Sequence, residues 1–229
     1  MTPAGRKALA IAPTSPLLYA LTDEMALASA RTLRAASVVF IAVLTAAAAQ
    51  VSVPLPFTPV PLTLQPMVVL LGGAVLGSRL GFASQMLYLA AGIVGLPVFA
   101  ASPLLPPGAA RLLGPTAGFL LSYPVAAFVA GWLAERGFDR RYLTSVASMA
   151  AGLVVVFASG ILWLAFTLAP ANPGASLALA LQAGLYPFLA LDIVKLFIAA
   201  AVLPGVWRFL GRNPDSLSAS HFPPSTRKN

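Results

Sequence analysis

The sequence predicts an all-α integral membrane protein: a bundle of six transmembrane helices with both termini in the cytoplasm. Three observations carry that expectation. Of the 229 residues, 59% are hydrophobic and 9% are charged, where a soluble domain carries about 25% charged residues. The mean hydropathy is +0.89, and the apolar residues gather in runs able to cross a hydrocarbon core of about 30 Å. The basic residues behind the formal charge of +8 are spread between alternate runs rather than collected in one block.

Residues 1–34 contain Arg6, Lys7, Asp23, Glu24, Arg31 and Arg34 and read as a cytoplasmic tail, with a short surface helix over Leu17–Arg34. The run Ala35–Ala49 follows too long a leader for a signal peptide and is succeeded by further apolar runs, so it is the first span. Val51–Pro61 then holds Pro54, Pro56, Pro59 and Pro61. No α-helix survives that density of proline, since each one removes a donor and clashes with the preceding turn. The stretch is nevertheless uncharged and mostly apolar. Non-helical backbone at such depth is tolerated where protein buries it or a cavity solvates it. It is expected to pack across the mouth of a cavity, the alternative being an ordinary interfacial loop.

The second and third spans are Thr63–Gly77 and Gly81–Gly95, with Ser78 and Arg79 in the turn between them. Leu96–Leu113 is a Pro/Gly-rich loop whose one charge is Arg111. The fourth span opens at Gly114-Pro115-Thr116, where proline suits a helix start because its missing N–H would be unpaired there anyway. It runs to Ala134, and the hydrophilic turn Glu135–Arg141 leads into the fifth span, Leu143–Leu168. Ser176–Gly184 reads as a short helix at the interface, and the sixth span runs from Pro187 to Leu210. Three regions result: a tail at 1–34, a membrane domain at 35–210 and a polar tail at 211–229.

Charge placement tests this map. Arg and Lys number 14. Four precede the first span, Arg79 lies between the second and third, Arg136, Arg140 and Arg141 between the fourth and fifth, and Arg208, Arg212, Arg227 and Lys228 at or beyond the sixth. With six spans all of these share one side. Arg111 stands alone on the other, and Lys195 is inside a span. Basic residues concentrate in cytoplasmic loops, so both termini are expected there, in a multi-pass protein of the plasma (inner) membrane. The positive charge therefore orients spans in lipid and gives no reason to expect a nucleic-acid partner.

Several chemistries are excluded or disfavoured. The chain has no cysteine, and its one histidine, His221, lies in the polar tail. No metal centre or other cofactor is expected. It carries no G-x-x-x-x-G-K-[ST] phosphate loop and no H-E-x-x-H, so neither ATP hydrolysis by that route nor metal-dependent proteolysis is available to it, and no catalytic residue is assigned.

Asp192 is the sole acidic residue within a span and Lys195 the sole basic one. Three apart on one helix, they share a face. Either charge at mid-membrane costs roughly 2.5–3.5 kcal/mol on insertion scales. The pair therefore reads either as a neutralising lock between helices or as the polar wall of a binding cavity. At 1.5 Å per residue the two lie about 8–12 Å below the outer surface, within reach from outside. The helix dipole there favours a negative ligand group. Arg111 is placed to close over the same cavity, while Gln65, Gln85 and Tyr88 add hydrogen-bonding groups on the second and third spans. Ala42 and Ala46 form a small-xxx-small step on the first span, a face that allows close approach of another helix.

Pro54–Gln65 (PLPFTPVPLTLQ), Tyr88–Phe99 (YLAAGIVGLPVF), Arg111–Phe119 (RLLGPTAGF) and Asp192-x-x-Lys195 together resemble, in order and spacing, the BioY family. That family comprises the biotin-specific substrate-binding (S) components of energy-coupling-factor (ECF) transporters. The likeness covers Ala35–Leu210 and implies a six-helix S-component fold that binds biotin from outside. It implies as partners a membrane coupling (T) subunit and ATPase subunits. By motif, Asp192 and Lys195 would contact biotin with Arg111 and Tyr88 nearby, and the Ala42/Ala46 face is the expected docking surface for the coupling subunit. The sequence departs from many relatives at Ala117 and Phe119, where they read Gly and Tyr, and in the proline-rich loop Ala101–Gly108. The competing readings are an S component for another small carboxylate or vitamin, and a proton or ion conductor. The wholly apolar Leu196–Leu203 disfavours conduction.

Overall fold

Apolar runs in lipid have one way to satisfy their own backbone, the intrahelical ladder, and the chain takes it almost throughout. The structure, a computed structural model, describes Leu17, Leu18 and residues 27–101, 106 and 108–209. Most of the expected N-terminal tail and the polar tail from 211 lie outside the described residues.

The helices are α1 (Leu27–Gln50), α2 (Gln65–Leu76), α3 (Ser78–Ile93), α4 (Ala117–Leu133), α5 (Tyr142–Leu168), α6 (Ser176–Gly184) and α7 (Tyr186–Phe209). A two-stranded hairpin, β1 (Ser52–Val53) with β2 (Leu62–Thr63), joins α1 to α2. Four stretches are long and apolar enough to cross a membrane: Ser29–Gln50, Ala117–Phe138, Tyr142–Leu168 and Tyr186–Val206. α2, at 12 residues, and α3, at 16, are shorter. At 1.5 Å per residue α2 reaches only about 18 Å. The short helices leave one end of the bundle to non-helical chain, and the hairpin fills that end.

Two boundaries differ from expectation. α1 begins at Leu27, so Arg31 and Arg34 lie in its opening turns rather than in a separate tail helix. Long basic side chains permit this, because their stems lie along apolar surface while the charge reaches water. The break between α2 and α3 falls at Gly77, whose φ of 84° ends one helix and starts the next directly. Arg79 is thus in the first turn of α3.

The core lies where α2, α4 and α5 meet, with Val69, Ala126, Ala127, Ala130, Met149 and Leu164 fully buried. Backbones approach there because side chains are missing. A Cβ at Gly73 would collide with the main chain of Ala127, and one at Gly131 with the main chain of Gly77 and Ser78. α3 is held at that end by Glu135, whose Oε1 accepts hydrogen bonds from Ser78 N at 2.7 Å and Ser78 Oγ at 2.8 Å. A carboxylate at a helix N-terminus meets both orphan donors and the positive end of the dipole.

The small-residue step on α1 faces inward. Ala42 is buried in the core cluster and Ala46 packs partly buried against it. The outward face of α1 carries Val39, Phe40, Val43 and Leu44 instead. The expectation that Ala42 and Ala46 form an open docking surface is therefore corrected: close approach is used inside the bundle, where α1 packs on α2 and α3.

Candidate ligand-binding site

The proline-rich segment supplies the first wall. Its prolines forbid a helix, and the antiparallel register Ser52↔Thr63 and Val53↔Leu62 closes it into a hairpin across the end of the bundle. Two clips hold it. Thr58 Oγ1 donates to Ala183 O of α6 at 2.6 Å, and Lys195 Nζ donates to Thr63 O at 2.7 Å. The segment expected to pack across a cavity mouth does so: Pro59–Thr63 line a cavity of about 730 Å³, its open mouth included.

The other walls come from α2, α4, α5, α7 and the loop after α3. Gln65, Phe99, Arg111, Tyr123, Phe157, Phe188 and Asp192 all line the space. It has the character of a small-molecule site, mostly apolar with a few convergent polar groups. Thr116 at the cap of α4 and Phe119, Leu120 and Tyr123 on it line the cavity, the one-face spacing of a helix.

Asp192 and Lys195 form an ion pair of 2.8 Å, with side chains 8% and 13% exposed. The lysine is turned to the hairpin as well, so its charge meets one carboxylate oxygen and one carbonyl. Asp192 reaches the main cavity, whereas Lys195 lines a smaller apolar pocket behind it with Met67, Leu70 and Met149. Below the pair, Leu196, Ala199, Ala200 and Leu203 are buried in the core. This half of α7 presents no polar path onward.

Arg111 stands at the mouth, 8% exposed. Its Nε donates to Pro106 O at 3.1 Å and its Nη1 to Ala100 O at 3.0 Å. A guanidinium has five donor hydrogens in a fixed fork, and among the described residues these two bonds set its plane. Gln65 Nε2 donates to Tyr88 Oη at 2.6 Å. The Tyr88 ring meets Phe99 edge-on at 5.5 Å and lies 6.4 Å from Tyr123. Tyr88 therefore stands behind the lining, positioning Gln65 and Phe99.

The structure thus brings Asp192, Arg111 and Gln65 to one cavity, with Lys195 and Tyr88 in contact with them. Gln85 is not there. It is fully buried between α1 and α3, where Nε2 reaches Thr45 Oγ1 at 3.2 Å and Ser84 Oγ at 3.3 Å. Sharing a face with Tyr88 did not suffice, because the third residue back along α3 points at α1. The aromatic lining of Phe99, Tyr123, Phe157 and Phe188 was not foreseen. Only the spacing 116, 119, 120, 123 could have signalled it, with Thr116 and Tyr123 as polar members of an otherwise apolar face. Among the described residues no cluster of metal-binding side chains occurs.

This geometry sits in a chain whose relatives are identifiable. The sequence profile of the BioY family matches residues 22–212. The probable biotin transporter BioY of Pyrococcus horikoshii is 42% identical over 159 residues, covering 69% of this chain and 86% of the relative. The biotin transporter BioY of Thermotoga maritima is 36% identical over 148 residues, covering 65% and 81%. Among solved structures, the S component for biotin from an ECF-type ABC transporter superposes with a TM-score of 0.68 at 23% identity. That match covers 80% of this chain and 95% of the other, which shows a shared fold. With the profile match running from before the first helix to beyond the last, the chain belongs to the BioY family.

Proposed function

We propose that this protein is a biotin-binding S component that takes the vitamin from the external side of the plasma membrane. The supporting observation is one cavity whose inner wall carries Asp192 and whose mouth carries Arg111, with apolar and aromatic walls between. Biotin has a polar ring head rich in N–H donors, an apolar chain and a terminal carboxylate. Asp192, neutralised on one oxygen by Lys195, suits the N–H donors. Arg111, whose described neighbours are carbonyl oxygens, suits the carboxylate. The reverse orientation would set two carboxylates side by side at low dielectric.

The same reading takes α1, α2, α3, α4, α5 and α7 as six crossings, with both termini cytoplasmic. It is supported by the turn at Ser78–Arg79 and the segment Glu135–Arg141 lying at one end, joined by the Glu135–Ser78 bonds. Uptake against a gradient needs energy, and the chain has no phosphate loop. A coupling subunit and ATPase subunits supply it in this reading.

Equilibrium binding of radiolabelled biotin to the purified chain in detergent tests the proposal. Saturable binding, competed by unlabelled biotin and not by thiamine, is expected. Absence of saturable binding by folded protein would refute it.

A further inference from the structure

Tyr123 belongs to α4 and lines the cavity, only 4% exposed. Among the described residues its hydroxyl has no hydrogen-bond partner, whereas Tyr88, the other tyrosine buried among them, accepts from Gln65. A buried hydroxyl with no bond forfeits the water it left behind, at a cost protein structures rarely accept without a reason. Packing alone gives no reason, since phenylalanine would fill the same space without it. The hydroxyl is also not sealed within the core, because it is absent from the fully enclosed polar atoms that lack partners. The open side of its surroundings is the cavity.

Its depth matches that of the acidic residue. Tyr123 is six residues into α4, counted from Ala117, and Asp192 is six residues into α7, counted from Tyr186. Both helices start at the end where Thr116 and Phe188 line the cavity. At 1.5 Å per residue each group is about 9 Å from its helix start. The cavity's inner end therefore offers an acceptor on one side and an uncommitted hydroxyl on the other, whereas the mouth offers a cation.

From this juxtaposition we infer that Tyr123 is a specificity-determining residue, donating a hydrogen bond to the carbonyl oxygen of a cyclic urea whose N–H groups face Asp192. The inference rests on the biotin reading and adds a residue and a rule to it. The inner end recognises a group that is donor and acceptor at once. A head offering only donors leaves the Tyr123 hydroxyl unpaired, and sites built to make a bond discriminate strongly against ligands that cannot.

The test compares wild type with Tyr123→Phe, which removes one oxygen and keeps the ring against Tyr88. Biotin, 2-thiobiotin (a weaker acceptor at the same position) and desthiobiotin (urea intact, sulfur ring gone) are titrated against both. Loss of one neutral hydrogen bond weakens binding about tenfold. Biotin and desthiobiotin are expected to lose about that factor in the variant, and 2-thiobiotin much less. If Tyr123→Phe does not fold, Tyr123→Met provides the same comparison with a flexible side chain of lower volume. Equal biotin affinity in wild type and the folded variant would overturn the role of Tyr123 and leave the biotin reading standing. So would an equal loss for all three ligands, which marks a packing effect. If wild type itself binds none of the three, the biotin reading fails, and with it this assignment.

Discussion

Removing the amine of Lys195 separates two roles that the Asp192–Lys195 pair can play. The perturbation is Lys195→Met, which keeps much of the stem. Two interactions vanish, the 2.8 Å bond to Asp192 Oδ1 and the 2.7 Å bond to Thr63 O. A carboxylate left unpaired inside a protein costs about 3–5 kcal/mol, and an orphaned buried carbonyl about 1–3 kcal/mol more. Protonating Asp192 recovers part of the first figure. The single variant is thus expected to lose about 3 kcal/mol or more of stability. In the double variant Asp192→Leu/Lys195→Met the charge penalty disappears and only the Thr63 carbonyl remains unsatisfied, so stability should return to within about 1–3 kcal/mol of wild type. Binding should not return with it. If Asp192 accepts ligand N–H groups, biotin affinity in the double variant falls at least tenfold, about 1.4 kcal/mol. Thermal unfolding in detergent gives the first quantity and equilibrium dialysis with labelled biotin the second. A double variant that is stable and binds biotin as wild type does would refute the ligand role and leave the pair a lock between α7 and the hairpin.

Single cysteines at Arg79 and Arg141 should resist a membrane-impermeant thiol reagent in intact cells, while cysteines at Leu113 and Ala171 should react. Labelling at 79 or 141 from outside would overturn the six-crossing topology. Ala42→Leu forces a larger side chain into the packed interface of α1 and should cost about 1–3 kcal/mol in thermal unfolding. An unchanged melt would mean that face is open after all. Gly73→Ala should be worse, because the obstacle is the main chain of Ala127 rather than a side chain that can turn. Loss of folded protein on size exclusion is the expected outcome.

What was legible in the sequence follows from what lipid forbids. Long apolar runs must be helical, so α4, α5 and α7 fall close to where hydropathy put them. Prolines packed as densely as Pro54, Pro56, Pro59 and Pro61 break a helix, so the hairpin region stood out. The pair at 192 and 195 declared itself because charge in a span is costly. Side-chain direction within an apolar helix was not legible, since inside and outside there are equally apolar. The Ala42/Ala46 step looked like an outer surface and is an inner one, and Tyr123, which hydropathy does not single out within its span, lines the cavity. Gln85 failed for a related reason: helical spacing says which residues share a face, and the face of α3 that holds Tyr88 curves between two neighbours, α1 and the cavity wall.

The glycines of the core have a mechanical consequence. α2, α3 and α4 touch main chain to main chain at Gly73, Gly81 and Gly131, while Gly118 receives the Trp163 side chain of α5 and Gly152 the Leu70 side chain of α2, each with a main-chain carbonyl of the α4–α5 contact beside it. Backbone pressed on backbone has no rotamer to exchange and cannot slide without separating, so these four helices form a chassis. α7 is attached differently. Its one glycine, Gly205, has open space around it, and the helix meets its neighbours through side chains and through the Lys195 bond to the hairpin. From α7 the residues that face the cavity are Phe188 and Asp192, while Tyr123 is carried by the chassis. The inner end of the cavity thus lies between a wall fixed by main-chain contacts and one fixed by side chains, with the hairpin tied to α7 by Lys195 and to α6 by Thr58.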